Sequence, residues 1–256
     1  MINGEGVSVN GAAGFSADAQ RRASGLSLPD GVSANLLITP TEREIFKNIN
    51  ITLVGLPGTG KSTVGKEMAA LTGMRYVDTD SLVEEHVGMP VGKYIDKVGR
   101  PAFYVLQDSL LKTTLLSGTG KVIGTGGATV EEDRPDNLGI MQMNSAMVYL
   151  YSKLDTLVER IMTDDTYRPG LSHDVNLIDG VEVLIRRSPE QVRAELINRY
   201  NRRHKAWETA PIKRSTDGQN PNQIAEGTTK DVLKYVRRTS QIATRFQGPQ
   251  RLIGNA

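Results

Sequence analysis

Gly55-Leu56-Pro57-Gly58-Thr59-Gly60-Lys61-Ser62-Thr63 follows the apolar run Ile51-Thr52-Leu53-Val54 and leads into a segment of helical spacing. The pattern is G-x-x-x-x-G-K-[ST], that of a phosphate-binding loop. Gly55, Gly58 and Gly60, with Thr59 among them, let the backbone turn its N–H groups inward around the phosphates of a nucleotide. The helix behind presents its positive end, and Lys61 reaches the outer phosphates. Ser62 then binds Mg²⁺, and Thr63 closes the loop. The alternative is a glycine-rich turn with an exposed lysine; the strand before and the helix after argue against it.

Outward from the loop, Lys61 to Leu71 keeps helical spacing, Gly73 supplies a stop, and Arg75-Tyr76-Val77-Asp78 reads as a second strand. Strand, helix and strand at this length make a βαβ unit. Its two strands are parallel and end on the side that holds the phosphates. That puts Asp78 and Asp80 beside the nucleotide, where a carboxylate orients water on Mg²⁺ or accepts a proton from an attacking hydroxyl. The other reading is that one of them caps the helix beginning near Ser81.

Further on, helical spacing runs from Ser81 to Leu116, broken at Gly88-Met89-Pro90 and Gly99-Arg100-Pro101. Pro101 opens a helix with Phe103, Leu106, Leu110 and Leu111 toward the core. Lys121-Val122-Ile123-Gly124 is a third strand running into Thr125-Gly126-Gly127-Ala128, where paired glycines admit a ligand close to the backbone. A plain loop is the alternative. Ala146 to Tyr151 is another strand, and Lys153 to Met162 is an amphipathic helix carrying Arg160. The polar stretch Thr163 to Asp174 holds Arg168-Pro169-Gly170 and reads as a mobile lid that excludes water and brings positive charge to a transferring phosphoryl group.

Glu182 to Trp207 reads as helical with a break at Ser188-Pro189. Its basic run, Arg199 to Lys205, is a solvated face by default. Ile212 to Ser215 is a last strand, and Asn222 to Arg238 a last helix. The alternation requires a mostly parallel sheet covered on both faces, a three-layer α/β fold. Residues 49–238 form that domain, preceded by a tail, 1–48, with a short helix near Thr41 to Phe46, and followed by a loose tail, 239–256. A cleaved organelle-targeting segment is the alternative for the first tail, but Glu5, Asp18 and Asp30 suit it poorly.

Composition narrows the function. The chain has 256 residues, enough for one such domain with tails, and no cysteine, so disulfides and thiolate metal sites are excluded. The three histidines are scattered, and a formal charge of +2 argues against a general nucleic-acid binder. No apolar run approaches a membrane span, and no secretory signal is present. A cytoplasmic, monomeric protein with a small-molecule partner is expected.

With these pieces in order, the chain from about Asn50 to Arg238 resembles the shikimate kinases, P-loop kinases of the nucleoside-monophosphate-kinase type. Besides the phosphate loop, Asp78-Thr79-Asp80 is similar to the family's D-[ST]-D, Thr125-Gly126-Gly127 to most of its T-G-G-G substrate loop, and Arg168-Pro169 to its lid. Arg160 resembles the basic residue before the lid, Arg203-x-x-x-Trp207 the R-x-P-L-Y element, and Ser215 to Pro221, with Gln219, the loop near the adenine. The resemblance implies ATP and Mg²⁺ as cofactors and a hydroxylated acceptor. It assigns catalysis to Lys61, Asp80 and Arg168, the metal to Ser62 and Asp78, and the acceptor to Asp80, Gly126, Gly127 and Arg203.

The departures lie on the acceptor side. Where the family has G-E-x-x-F-R, this chain has Gly99-Arg100-Pro101-Ala102-Phe103-Tyr104, so Tyr104 replaces a carboxylate-clamping arginine. Gln107 replaces a glutamate, and Ala128 the third glycine. Losing such a charged contact costs about 1.5–3 kcal/mol, roughly ten- to a hundredfold in binding. Arg100, one helical turn before Tyr104, either takes over the clamp or is an exposed cap residue. Three functions stay open: a kinase acting on shikimate or on another polyol or hydroxy acid, a non-catalytic nucleotide-binding relative working through a protein partner, and a nucleic-acid kinase. The basic run lacks the aromatics that the last would need.

Overall fold

The computed structural model describes residues 38–131, 134–164, 167–168, 170–178 and 181–246. All lie in the unit Leu36–Ala256. Residues 1–37 of the tail expected over 1–48, with its targeting alternative, the segment 247–256 and Pro169 of the lid lie outside the described residues.

Helix α1 (Pro40–Lys47) leads into β1 (Asn50–Val54), α2 (Lys61–Thr72), β2 (Arg75–Asp78), α3 (Thr79–Val87), α4 (Val91–Leu116) and β3 (Lys121–Gly124). Then come α5 (Pro135–Asn144), β4 (Ala146–Tyr151), α6 (Leu154–Thr163), the strands β5 (His173–Ile178) and β6 (Val181–Arg186), α7 (Pro189–Glu208), β7 (Ile212–Ser215) and α8 (Pro221–Phe246). Five strands make one sheet in the order β2-β3-β1-β4-β7. Every pairing within it is parallel, from Asn50 opposite Lys121 to Tyr151 opposite Ser215. This is the α/β fold expected.

The layering follows from the strand period of two. Ile51, Leu53, Val122, Ala146, Val148 and Leu150 point to one side, where they pack with Phe46 of α1, Val64 and Met68 of α2 and Val232 of α8. Val54, Ile123, Met147 and Tyr149 point to the other, against Leu111 of α4, Met141 of α5, Leu157 of α6 and Trp207 of α7. Strands buried on both faces read as continuous apolar runs, which is why β1 and β4 are plain in the sequence. The chain leaves β1 toward β2 and β3 on one side and later crosses to β4 on the other. The carboxyl end of β1 therefore opens a crevice at the switch of strand order.

Three expectations need correction. Val181–Arg186 is a strand, not the start of a helix. It pairs antiparallel with His173–Ile178, Ile178 opposite Val181, so the lid stretch leads into a hairpin. Helix α7 begins only at Pro189, with Ser188 and Gln191 closing a capping box. The last helix runs on to Phe246, eight residues past Arg238, so part of the segment expected as a loose tail is helical. Helix α5, which Pro135 opens at the first helical turn, is an element that the sequence pattern did not announce. The break at Gly99 is present: its φ of 80° interrupts α4 just before Pro101.

Candidate active site

The loop after β1 sits at the crevice. Gly55 has φ +143°, and a Cβ there would come within 2.2 Å of the Leu150 carbonyl oxygen on β4, so only glycine passes. Lys61, first residue of α2, donates from Nζ to the carbonyls of Gly55 (2.9 Å) and Leu56 (3.1 Å) and so spans the loop. Thr59 ties its hydroxyl to Leu56 (2.8 Å). From α6, Arg160 donates to the Gly58 carbonyl (3.2 Å) and to Thr216 Oγ1 (3.0 Å) and O (2.7 Å), stitching the loop to the segment after β7 that carries Gln219.

Beside the loop, Asp78 caps α3 with one carboxylate oxygen and turns the other toward Ser62. Its Oδ1 accepts from the Asp80 N–H (3.0 Å), which starts the helix at Thr79 rather than near Ser81. Its Oδ2 accepts from Ser62 Oγ (3.1 Å) and Tyr76 Oη (2.9 Å). The helix cap and the contact with Ser62 are thus served by the two oxygens of one carboxylate. Asp80 Oδ1 accepts from Gln107 Nε2 of α4 at 2.7 Å. Burial pushes the Asp80 carboxyl up to about 6, Asp78 adds to the push, and Lys61 and the Gln107 hydrogen bond oppose it. Burial also pulls Lys61 down to about 8 against the attraction of Asp78 and Asp80; Arg203 and Arg168 lower it further.

The other wall comes from the loop after β3 and from α7. Gly126 is where Asp80 and Gln107 meet: a Cβ there would lie 2.5 Å from Gln107 Nε2 and 2.6 Å from Asp80 Oδ1. Part of the reason for glycine is therefore this side-chain pair. Arg203 is not on a solvated face. Its side chain is 4% exposed, bound through Nε (2.8 Å) and Nη2 to Glu131 Oε1. Among the described residues its Nη1 has no hydrogen-bond partner, and it would lie 3.3 Å from a Cβ on Gly127. A buried guanidinium nitrogen left open costs free energy, and an anionic group at Gly127 would satisfy it. Arg168 pairs with Asp164 (2.5 Å), and among the described residues its Nη1 is likewise without a partner. Arg100 is exposed, its Nη2 3.3 Å from where a Cβ of Gly170 would be.

One cleft of about 1360 Å³ collects these groups. Every site residue expected from sequence lines it except Gly55, which lies behind the loop. Glu131, Arg134, Asp108 and Tyr76 were missed. Glu131, Arg134 and Asp108 work through partners far along the chain that no local spacing marks, while Tyr76 donates to Asp78 two positions on; only the i, i+4 pairing of Arg203 with the buried Trp207 hinted that α7 turns a basic residue inward. Among the described residues no group of three or more His, Asp or Glu could hold a metal. The hard oxygens of Ser62 and Asp78 suit an Mg²⁺ whose remaining ligands are phosphates and water.

A phosphate loop at the switch point of a parallel sheet, a carboxylate at the adjoining strand end and an arginine-bearing lid define a P-loop phosphotransferase of the small-molecule class. The family model described as shikimate kinase matches residues 57–232. The chain belongs to the shikimate kinase family, a family of ATP-dependent small-molecule kinases. It is 32% identical over 187 residues to a shikimate kinase of Chlorobium chlorochromatii, covering 73% of this chain and 92% of that protein. To one of a Sulfurihydrogenibium species it is 29% identical over 189 residues, 74% and 98% of the two chains. Among solved structures, a shikimate kinase from Acinetobacter baumannii in complex with shikimate shares the fold, with a TM-score of 0.61 at 24% identity over 77% of this chain and 98% of that one. No described helix is long and apolar enough to cross a membrane.

Proposed function

We propose that this protein transfers the γ-phosphoryl group of ATP to a hydroxyl of shikimate, giving shikimate 3-phosphate. The observation that carries the acceptor assignment is the open Nη1 of buried Arg203 beside Gly127, a place for a carboxylate in the cleft that also holds Asp80 and Lys61. Asp80 aligns the acceptor hydroxyl and takes its proton; a carboxylate near 6 is a competent base at neutral pH. Lys61 neutralises charge on the outer phosphates, and Arg168 does so from the lid. Arg160 and Gln219 border the nucleotide, and Gly126, Gly127 and Tyr104 the acceptor. Arg100 stands where it can supply the second cation of a carboxylate clamp. Ser62 and Asp78 would hold an Mg²⁺, which would supply charge neutralisation at the phosphates.

One observation favours a second reading, a kinase for a different hydroxy acid or polyol. Tyr104 offers the acceptor a neutral hydroxyl, and Arg134, a cation stacked on its ring, is engaged elsewhere. Turnover with Mg·ATP and shikimate, read as phosphorylated product by mass spectrometry beside a no-acceptor control, decides between them. Product that disappears in Asp80→Ala establishes the shikimate reading. ATP binding without product refutes it, and other hydroxylated acids then become the substrates to screen.

A further inference from the structure

Behind the acceptor wall lies a buried polar chain outside the motifs. Arg134, 7% exposed, sits just before α5 and does not line the cleft. It donates from Nε to Asp108 Oδ2 (3.1 Å), from Nη2 to Asp108 Oδ1 and to Gln107 Oε1 (3.2 Å), and from Nη1 to the Ala128 carbonyl (2.6 Å). Its guanidinium carbon Cζ lies 4.5 Å from the Tyr104 ring centroid. Asn137 backs the arrangement by donating to Asp108 (2.6 Å) and to the Thr129 carbonyl (2.9 Å).

An arginine only donates and an ionised carboxylate only accepts, so an amide between them has one permitted orientation. Gln107 is that amide, 1% exposed, with Oε1 toward Arg134 and Nε2 toward Asp80. We propose that Arg134 is a positioning residue of the phosphoryl-transfer site, fixing Asp80 through the Gln107 amide and fixing the acceptor loop through the Ala128 carbonyl. The proposal rests on the kinase reading for its consequence but not for its geometry. Planar donors reaching two carbonyls and a carboxylate at once are a property of arginine that lysine does not reproduce. The two arms have different kinetic meanings: the Gln107 arm orients the group that acts in the transition state, and the Ala128 arm shapes the loop that binds the acceptor.

The test uses the full chain and Arg134→Lys, which keeps the charge opposite Asp108. Nitrogen-15 NMR of the Gln107 side-chain amide, assigned by its loss in Gln107→Met, reads the geometry without turnover. Widely separated, slowly exchanging amide protons in the parent chain should collapse toward free-glutamine behaviour in Arg134→Lys; an unaltered pair overturns the proposal whatever the activity. In the kinetic arm, kcat with Mg·ATP and shikimate falls about 10- to 100-fold, KM for ATP stays, and KM for shikimate rises. Within a Gln107→Met background the same substitution leaves kcat within about twofold while KM for shikimate still rises. Equal losses of kcat in both backgrounds overturn the relay. Should Arg134→Lys fail to fold, Arg134→Met with Asp108→Asn removes both charges together and is read in the same way. A parent chain that shows the NMR signature but no turnover of shikimate refutes the kinase reading and leaves the geometry standing.

Discussion

At position 104 the tyrosine ring lies under the Arg134 guanidinium, and that contact decides what a substitution there does. Restoring the arginine that the rest of the family pattern calls for sets a second guanidinium against Arg134 in a poorly hydrated wall. A cation–π contact of about 0.5–2 kcal/mol is replaced by repulsion. Tyr104→Arg therefore lowers stability by about 1–3 kcal/mol, read as the denaturant midpoint, and does not tighten shikimate binding. A single substitution that improves KM at unchanged stability contradicts this account. The residues of the phosphate loop and of Asp78-Thr79-Asp80 were legible because their chemistry is contiguous. Arg134 was not, because its meaning comes from Gln107 and Asp108, 27 and 26 positions away, brought to it only by the packing of α4 and α5.

Among the elements, α1 shows how a boundary read from composition differs from one set by packing. Thr39 caps the helix in a reciprocal box with Glu42, Phe46 is fully buried and Ile38 nearly so, and Glu42 reaches Arg237 of α8 at 2.9 Å. A domain beginning at 49 loses these contacts. A chain shortened to begin at residue 49 melts well below one beginning at residue 36, by the equivalent of about 3–5 kcal/mol for two buried side chains; equal melting temperatures would show that α1 contributes nothing. The Thr39 amide hydrogen bond, with the Thr39 hydroxyl and Arg237, holds the Glu42 carboxyl below its ordinary 4.5 despite some burial. Its contribution is therefore complete above that value and is lost as pH falls through the lowered one. The hairpin was missed for a different reason. Asp179-Gly180 between two β-branched runs is a turn signal, but Val183, Leu184 and Ile185 also continue the helical spacing of Val192, Leu196 and Trp207. Pairing with β5, not local preference, settles the conformation.

For the molecule as a whole, the lid is the part that touches both halves of the cleft. The Gly170 carbonyl accepts from Arg187 Nη1 (3.2 Å) and from Arg199 Nη2 of α7 (3.0 Å), its Cα faces Arg100 of α4, and Arg168 lies close enough to lower the Lys61 pKa. Whatever orders this segment against the phosphate side also orders it against the acceptor side. The ordering cost is then met once for two ligands. A non-hydrolysable ATP analogue should consequently bind tighter in the presence of shikimate by about 5- to 100-fold, and shikimate tighter in the presence of the analogue by the same factor, as linkage demands. Titration calorimetry in both orders measures the pair of factors. Gly170→Ala is the informative variant. Its φ of +67° strains an alanine, and the new methyl presses on Arg100. The coupling should drop toward one while the ATP analogue alone binds as before. A factor of one in the parent chain would mean that nucleotide and acceptor meet in the cleft without the lid joining them. Catalysis would then have to come from the fixed walls: Lys61, Asp80 and the Arg203 side.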